Sequence, residues 1–217
     1  MKKISELVYY YGPMGSSKSA QALIRRYEME DKGNKVIFAK PSVDTRDENP
    51  VVSSRIGISA PCDIIDAPKL ENGEVVSGII ENIFEKYNEY IKKEDIKAVI
   101  IDEVQFLHPS QIENLRVLVY KHSIPIFVYG LATNFRGELF PASKKLIEIA
   151  DRLERLEMKC HCGLNATMTA RYDETGILRD GPDVLIGGND SYTSLCPYCH
   201  MIGDLGPTIN IKKLNRA

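Results

Sequence analysis

The sequence predicts an α/β protein with a parallel sheet, followed by a small second domain of a different kind. Short apolar runs alternate with helical patterns over roughly the first 150 residues. This alternation favours parallel strand pairing, right-handed crossovers and a sheet covered by helices on both faces. After about residue 150, glycines, prolines and cysteines become frequent and no long helix is indicated. We therefore divide the chain into an α/β domain, residues 1–157, and a small domain, residues 158–217.

The elements of the first domain follow in order along the chain. Short apolar runs predict four strands, at residues 7–11, 35–40, 98–101 and 124–129. Apolar residues at helical spacing predict three helices, at residues 19–32, 78–92 and 110–121. Ser110 and Glu113 have the spacing of a capping box at the start of the third helix. Residues 41–75 are rich in Pro, Ser, Asp and Asn, which predicts irregular surface chain.

The composition excludes several classes of protein. The chain has 28 Lys+Arg against 30 Asp+Glu, and a net charge of −2 gives no reason to expect nucleic acid or an anionic membrane as partner. No apolar run approaches the ~20 residues that a membrane span needs. The N-terminus has no signal-peptide core. We expect a soluble, cytoplasmic protein.

The segment between the first strand and the first helix is a candidate phosphate-binding loop. Its sequence is Gly12-Pro13-Met14-Gly15-Ser16-Ser17-Lys18-Ser19. Backbone N–H groups of such a loop, with the positive end of the helix dipole, form an anion site. Lys18 would contact the β- and γ-phosphates and Ser19 would bind Mg²⁺. Glycine is usual where Ser17 stands, which leaves nucleotide affinity open. The alternative is a Ser/Gly-rich turn that caps a helix beside a surface lysine.

An acidic pair, Asp102-Glu103, directly follows the strand at 98–101. The carboxyl end of a buried strand faces the crevice in which ligands bind in open α/β sheets, so Asp102 is a candidate Mg²⁺ ligand. Glu103 is a candidate base for water or for a substrate hydroxyl. The alternative is that Glu103 only caps the following turn. Phe106 is equally compatible with the core and with a pocket.

Four of the five cysteines form two close pairs, at Cys160/Cys162 and Cys196/Cys199. Two thiol pairs separated by a loop are the pattern of a structural Zn²⁺ site. The first pair has one intervening residue instead of the commoner two. His161 and His200 are possible substitutes for a cysteine, and four reduced structural or redox thiols are the alternative. Cys62 is left unassigned, as an ordinary buried or half-buried residue.

Several segments share the order and spacing of one known family: GPMGSSKS at 12–19, DTR at 44–46, VVSSRIG at 51–57, IIDEVQF at 100–106, YGLATNFRGELF at 129–140 and VLIGGNDSYTSLC at 184–196. With the cysteine pairs, they resemble the type II thymidine kinases over residues 7–199. The resemblance implies a RecA-like phosphate-loop domain and a zinc-ribbon-like domain that carries a lid loop at about 173–194.

The resemblance also implies an activity in nucleotide salvage. This activity is transfer of the γ-phosphoryl group of ATP to the 5′-hydroxyl of thymidine, and deoxyuridine is expected as a second substrate. Glu103 matches the general base and Asp102 the acid that organises Mg²⁺. Arg46 is similar to a residue near the transferring phosphates, and Asp44 is a weaker candidate. Feedback by thymidine triphosphate and a homotetramer are further implications.

Nucleoside-binding positions come from the resemblance as well. The matching residues are Met14, Phe106, Leu131, Phe135, Phe140, Thr169, Val184, Leu185, Ile186, Gly187, Gly188 and Tyr192. The family closes the lid over the thymidine, and structural Zn²⁺ would clamp the strands that present it.

Two other functions compete with the kinase. One is an ATPase or ATP-dependent switch with a zinc ribbon, in which water replaces the sugar hydroxyl. The other is a non-catalytic nucleotide-binding protein whose loop has decayed at Ser17.

Overall fold

A computed structural model of the chain describes residues 5–44, 50–71, 74–77, 81–93, 95–182, 191–207 and 209. The elements in chain order are β1 (Leu7–Tyr11), α1 (Lys18–Asp31), β2 (Lys35–Pro41), β3 (Val51–Ser53), β4 (Ser59–Pro61), β5 (Asp63–Ile65), β6 (Lys69–Glu71), β7 (Glu74–Ser77), α2 (Glu81–Lys86), α3 (Asn88–Lys92), β8 (Ile96–Ile101), α4 (Pro109–His122), β9 (Ile126–Gly130), α5 (Pro141–Ile149), β10 (Arg152–Arg155), β11 (Met168–Asp173), β12 (Gly176–Ile177), β13 (Tyr192–Leu195) and α6 (Pro197–Ile202).

The central sheet has six strands in the order β10-β1-β9-β8-β2-β5, and all its pairings are parallel. The predicted α/β class with a mostly parallel sheet is therefore confirmed. Because the strands are parallel, β1 and β8 end at the same edge, with β9 between them. The phosphate loop and the acidic pair thus leave the sheet on one side.

The side chains of the sheet alternate between two apolar layers, as the period of a strand requires. Leu7, Val99 and Ile126 pack on one side, with side chains from α4 and α5 such as Leu115 and Leu146. The opposite side contains Phe38, Ile100 and Tyr129, which pack with Ala22 and Leu23 of α1. Both faces of the sheet are therefore covered by helices.

Helix α4 begins differently from the prediction. The Nδ1 atom of His108 accepts a hydrogen bond from the backbone of Ser110 at 3.3 Å, and Gln111 Oε1 accepts one from the backbone of His108 at 2.9 Å. The capping box is thus formed by His108 and Gln111, and its assignment to Ser110 and Glu113 is wrong. The predicted motif requires Ser or Thr at the cap, so a histidine in that role escaped the pattern.

Two further stretches differ from the predictions. Residues 41–75 contain strands β3 to β6, and β5 joins the central sheet beside β2, so the prediction of irregular chain is wrong there. Strands of three residues are too short to show periodicity. Helix α5 has no counterpart among the predicted elements. The predicted helix at 78–92 corresponds to α2 and α3, and residues 78–80 lie outside the described part.

A separate antiparallel sheet, in the order β12-β11-β13, follows the central sheet in the chain. It has an apolar cluster of its own, which includes Ala170, Leu195 and three of the cysteines. Among the residues that the structure describes, none of the helices has the length and apolar character needed to cross a membrane.

Candidate active site

The phosphate loop runs from the end of β1 to the start of α1. The Nζ atom of Lys18 donates hydrogen bonds to the backbone carbonyls of Gly12 at 3.1 Å and Pro13 at 2.7 Å, and Lys18 is only 8% exposed. Ser19 is the second residue of α1. The loop therefore holds the lysine ammonium within its own curve at a helix N-terminus, where an anion site is expected.

Close backbone packing fixes the shape of this loop. A Cβ atom at Gly12 would lie 2.5 Å from Ser16 Oγ and 2.9 Å from the carbonyl oxygen of Leu156, so a side chain does not fit. Ser17 has φ 58° and ψ 21°, the left-handed conformation that glycine adopts readily. Its hydroxyl donates to the carbonyl of Ser16 at 2.7 Å. The serine thus preserves the loop conformation at a cost of about 1 kcal/mol.

The acidic pair stands at the same sheet edge. Asp102, the first residue after β8, is 2% exposed, and its backbone N–H donates to the carbonyl of Ala39 on β2 at 3.0 Å. Glu103 has φ 53° and ψ 37°, also left-handed. A non-glycine residue held in this region is strained, and such strain clusters at functional sites. The backbone thus leaves the extended conformation of β8 at Glu103.

Gln105 orients the Glu103 carboxylate, a role that sequence reasoning missed. Its Nε2 donates to Glu103 Oε2, and its Oε1 accepts the backbone N–H of Leu131 at 3.0 Å. Gln105 is 3% exposed. A Cβ atom at Gly130 would lie 2.5 Å from Gln105 Oε1, so glycine makes room for this bridge. The glutamine of the Asp-Glu-x-Gln-Phe segment was the signal in the sequence.

The bridge continues into the core. The carbonyl of Leu131 accepts hydrogen bonds from the hydroxyl groups of Tyr9 at 2.8 Å and Ser143 at 2.6 Å. Burial raises the pKa of the Tyr9 hydroxyl above its ordinary value, so it stays protonated and can donate. A buried network whose members are all hydrogen-bonded is rigid. The position of Leu131, and with it that of Gln105, is therefore tied to β1 and α5.

The small antiparallel sheet holds the phosphate loop from the other side. The hydroxyl of Thr169 on β11 accepts the backbone N–H of Met14 at 3.2 Å. Ser194 on β13, the register partner of Thr169, donates its hydroxyl to the carbonyl of Met14. Both peptide groups of one loop residue are thus bound by two neighbouring strands. Ser194 was not among the predicted site residues, although it lies within the family-like segment at 184–196.

The aromatic candidates fall into two groups. The rings of Phe106 and Phe140 meet edge to face, with centroids 6.3 Å apart, and Phe106 is half-buried. Phe135 is only 1% exposed, and its ring is covered by the guanidinium groups of Arg136 and Arg171. Phe106 and Phe140 therefore lie together beside Gln105, whereas Phe135 belongs to a separate charged cluster.

A small cleft separates the loop from the neighbouring strand ends. Its lining combines the end of β1 with the loop after β9 and the start of β11: Tyr11, Gly12, Pro13, Ala132, Thr133, Arg155, Thr167 and Thr169. Tyr192 lies half-buried on β13. Arg46, Val184, Leu185, Ile186, Gly187 and Gly188 lie outside the described residues. Asp44, the weaker candidate, is buried in an ion pair with Lys40 at 3.4 Å.

The two cysteine pairs meet in one cluster. The sulfur atoms of Cys160, Cys162, Cys196 and Cys199 lie within 4.8 Å of one another, and no disulfide joins them. The Sγ atoms of Cys162 and Cys196 are 3.6 Å apart. Four thiolates bound to Zn²⁺ at about 2.3 Å stand about 3.8 Å apart, so the donor set and its size suit a tetrahedral zinc site.

Local structure favours the thiolate form of one of these cysteines, Cys196. The backbone N–H of Cys199 donates to Cys196 Sγ at 3.4 Å and lowers the pKa of the Cys196 thiol to about 7. Gly163, with φ +91°, turns the chain after the first pair. The thiolate is the form that binds metal, and a pKa near neutrality favours it.

Both neighbouring histidines have other partners. His161 Nε2 lies 3.2 Å from the carbonyl oxygen of Asp204. His200 Nε2 donates to the carbonyl of Phe135 at 3.3 Å, and its Nδ1 accepts from Arg179 at 3.0 Å. Burial lowers the pKa of His200, so the neutral tautomer that satisfies both contacts is favoured. The four cysteines are therefore the better donor set.

Cys62 lies apart from this cluster. It is half-buried against the apolar layer that contains Phe38 and Tyr129. Burial raises the pKa of its thiol to about 11. A protonated thiol among apolar side chains behaves as a small hydrophobic residue.

Comparisons with known proteins identify one family. A sequence model of the thymidine kinase family matches residues 5–200. The thymidine kinase of Enterobacteria phage T4 is 38% identical over 194 residues, which cover 89% of this chain and 94% of that protein. The thymidine kinase of Legionella pneumophila (strain Lens) is 36% identical over 212 residues, 97% of this chain and 96% of that protein. The thymidine kinase of Haemophilus influenzae (strain Rd) is 35% identical over 194 residues, 89% of this chain and 94% of that protein.

Proposed function

The chain belongs to the thymidine kinase family, and on that premise we propose that it transfers the γ-phosphoryl group of ATP to the 5′-hydroxyl of thymidine. One observation carries the proposal. Gln105 ties the Glu103 carboxylate to Leu131, at the sheet edge where the phosphate loop also begins. A fixed carboxylate near a phosphate site is what transfer to a hydroxyl requires.

The phosphate loop supplies the ATP site. Its backbone N–H groups and Lys18 bind the β- and γ-phosphates, and Ser19 and Asp102 hold the Mg²⁺ that accompanies ATP. Mg²⁺ neutralises charge on the phosphate oxygens when it is bound. Arg46 stabilises the equatorial oxygens of the transferring group, as the family resemblance implies. Because Lys18 already lies within the loop, its ammonium group is in position before the phosphate binds.

Glu103 acts as the general base. Its carboxylate accepts the proton of the 5′-hydroxyl as the oxygen attacks the γ-phosphorus. In this assignment Asp102 serves Mg²⁺ and Glu103 serves the hydroxyl. Gln105 holds the carboxylate by donating a hydrogen bond to its Oε2 atom.

The nucleoside lies between the loop after β9 and the small sheet. Leu131, Phe106 and Phe140 form the apolar side of its pocket, and Thr169 and Tyr192 approach from β11 and β13. The family resemblance also places Phe135 among the nucleoside-binding residues. The family resemblance implies that residues 184–188, which lie outside the described residues, pair with the thymine edge through their backbone.

The cysteine cluster binds a structural Zn²⁺. Cys160, Cys162, Cys196 and Cys199 hold it, and their geometry supports this assignment. Closing the four-ligand site stabilises β11 and β13, which carry Thr169 and Ser194 to the phosphate loop. Zn²⁺ thus preserves the nucleoside side of the site without taking part in the chemistry.

Several finer properties belong to the same proposal and come from the family resemblance. They are acceptance of deoxyuridine, feedback inhibition by thymidine triphosphate, a homotetramer, a cytoplasmic location, the lid at about 173–194, and the division into domains 1–157 and 158–217. Light scattering tests the tetramer, and inhibition kinetics with thymidine triphosphate test the feedback.

An assay with labelled thymidine and ATP separates the kinase from its alternatives. The kinase produces thymidine monophosphate in a ratio of one to each ADP. An ATPase with a zinc ribbon releases ADP without labelled monophosphate, and DNA stimulates that release. A non-catalytic nucleotide-binding protein yields neither product. The names of the relatives favour the first outcome.

A further inference from the structure

Two arginines that no step above uses surround the ring of Phe135. The Cζ atoms of Arg136 and Arg171 lie 5.2 and 5.0 Å from the ring centroid. Arg136 follows Phe135 in the chain, whereas Arg171 comes from β11 of the small sheet. A guanidinium within about 6 Å of an aromatic centroid is attracted by the ring quadrupole. Phe135 therefore joins two elements that are distant in the sequence.

The same two arginines bind the backbone beyond β12. Arg136 Nη1 donates to the carbonyl of Gly181 at 2.7 Å, and Arg171 Nη1 donates to the carbonyl of Pro182 at 2.9 Å. A Cβ atom at Gly181 would lie 3.2 Å from Arg171 Nη2, so glycine allows this close approach. Two consecutive carbonyls are thus held by two guanidinium groups that share one aromatic ring.

Arginine is suited to this double role. Its planar guanidinium can lie over a ring and still donate hydrogen bonds from its edge. A lysine ammonium has no plane to lie on the ring, and it has lower geometric specificity for two partners at once. The arrangement thus depends on the shape of the side chains as well as on their charge.

A third tie connects Phe135 to helix α6. The Nε2 atom of His200 donates a hydrogen bond to the backbone carbonyl of Phe135. Arg179 donates to the imidazole Nδ1 atom and to the backbone carbonyl of His200. Since His200 follows Cys199, the aromatic residue is anchored through its backbone to the cysteine cluster. Its ring is anchored separately through Arg136 and Arg171.

We propose that Arg136 and Arg171 are positioning residues for the nucleoside, which use the Phe135 ring as a platform to fix the backbone at Gly181 and Pro182. This inference rests on the proposed thymidine kinase activity and names the residues that set its thymidine affinity. Their Nη1 groups hold Gly181 and Pro182, which belong to the segment at about 173–194 that the family resemblance places at the nucleoside. We therefore expect the thymidine KM to respond and the ATP KM and kcat to change little.

A double-mutant cycle tests the proposal. Arg171→Leu and Phe135→Leu are measured singly and together, with steady-state kinetics for thymidine and for ATP. Each single change raises the thymidine KM roughly fivefold to thirtyfold, as expected for one cation–π contact and its linked hydrogen bond. The double variant matches the worse single variant, because both changes remove the same arrangement. The ATP KM and kcat change by less than about twofold.

Arg152→Leu is the matched control. Arg152 is a half-exposed arginine on β10, and its ion-pair partners are Glu6 and Glu154. We expect Arg152→Leu to leave the thymidine KM unchanged. Arg171→Lys retains the charge and is expected to raise the thymidine KM at least severalfold. Arg171→Lys also tests the positioning role of Arg171 if Arg171→Leu does not fold.

The outcomes separate this inference from the proposed function. If the wild-type chain makes no thymidine monophosphate, the proposed function fails, and this inference with it. If the wild type is active and Arg171→Lys has a normal thymidine KM, only the inference is overturned. Effects of Arg171→Leu and Phe135→Leu that multiply in the double variant, or an equal rise in the ATP KM, also overturn it.

Discussion

The phosphate loop and the small antiparallel sheet meet at Met14 but are built in opposite ways. The contacts of Lys18 with Gly12 and Pro13 span six and five positions of the chain. The contacts of Met14 with Thr169 and Ser194 span 155 and 180 positions. One half of the site is thus folded from a single local segment, and the other is brought to it by tertiary structure. The two halves should therefore fail separately when each is disturbed.

The largest expected effect lies at the acidic pair, which stands at the same sheet edge as the phosphate loop. Glu103→Gln removes the general base and lowers kcat roughly 10²- to 10⁴-fold, while the KM values for ATP and thymidine change little. Initial-rate measurements on purified protein check this. Glu113→Gln, on the exposed side of α4, is the control and retains full activity. Near-normal turnover of Glu103→Gln would remove the general-base assignment.

The next effect lies in the distant half. Cys162→Ser breaks the four-thiol set and raises the thymidine KM roughly tenfold to a hundredfold, before the ATP KM responds. Metal analysis together with kinetics checks this, and chelation of the wild type reproduces it. Cys62→Ser retains both the metal and the activity, because Cys62 lies outside the cluster. An unchanged thymidine KM in demonstrably zinc-free protein contradicts this half of the account.

The same contrast explains what the sequence could predict. The phosphate loop, Asp102-Glu103 and the cysteine pairs are local patterns, and the structure contains each of them as a compact unit. Thr169 came only from family resemblance, and Ser194 and Gln105 were missed as contacts. Their partners are set by packing between elements, which a periodicity does not encode. The His108 cap and the three-residue strand β5 were missed because their local signals are weak.

A smaller effect is expected at Gln105, which links the Glu103 carboxylate to the backbone of Leu131. Gln105→Leu keeps the size of the side chain but frees the Glu103 carboxylate from Leu131. Loss of one hydrogen bond to a charged group corresponds to about 1.5 kcal/mol, so kcat falls roughly tenfold. The melting temperature is measured in parallel. A kcat equal to that of the wild type would show that Gln105 has no positioning role.

Two serines with a left-handed backbone, Ser17 and Ser123, separate an effect on the phosphate loop from a general effect on stability. Ser17→Gly and Ser123→Gly each relieve a positive φ, at the phosphate loop and at the end of α4 respectively. Each substitution stabilises the protein by up to about 1 kcal/mol in denaturant unfolding. Only Ser17→Gly also lowers the KM for ATP, since only it lies in the loop. A lower ATP KM in both variants would contradict the assignment of Ser17 to the nucleotide site.

The smallest effect concerns a contact outside both halves. Asp151 accepts hydrogen bonds from Arg116 and from the backbone of Leu7, and Arg116 holds the pKa of its carboxyl below the ordinary 3.8. A lowered carboxyl pKa stabilises the fold above about pH 4, and this contribution is lost as pH falls through the folded pKa. Asp151→Asn therefore costs about 0.5 kcal/mol at pH 7. Urea unfolding at pH 7 and pH 3 checks that the difference becomes smaller in acid; a constant difference contradicts the ionic origin.

The central claim is that the two halves form one site around a thymidine 5′-hydroxyl. A crystal structure of zinc-loaded protein with thymidine and a non-hydrolysable ATP analogue tests it most directly. The account predicts the 5′-oxygen within about 2.6–3.2 Å of the Glu103 carboxylate, with the triphosphate in the loop at Gly12–Ser19. It also predicts that the base lies on the side of Thr169 and Tyr192. A water molecule in place of the 5′-oxygen, with the nucleoside bound elsewhere, would contradict it.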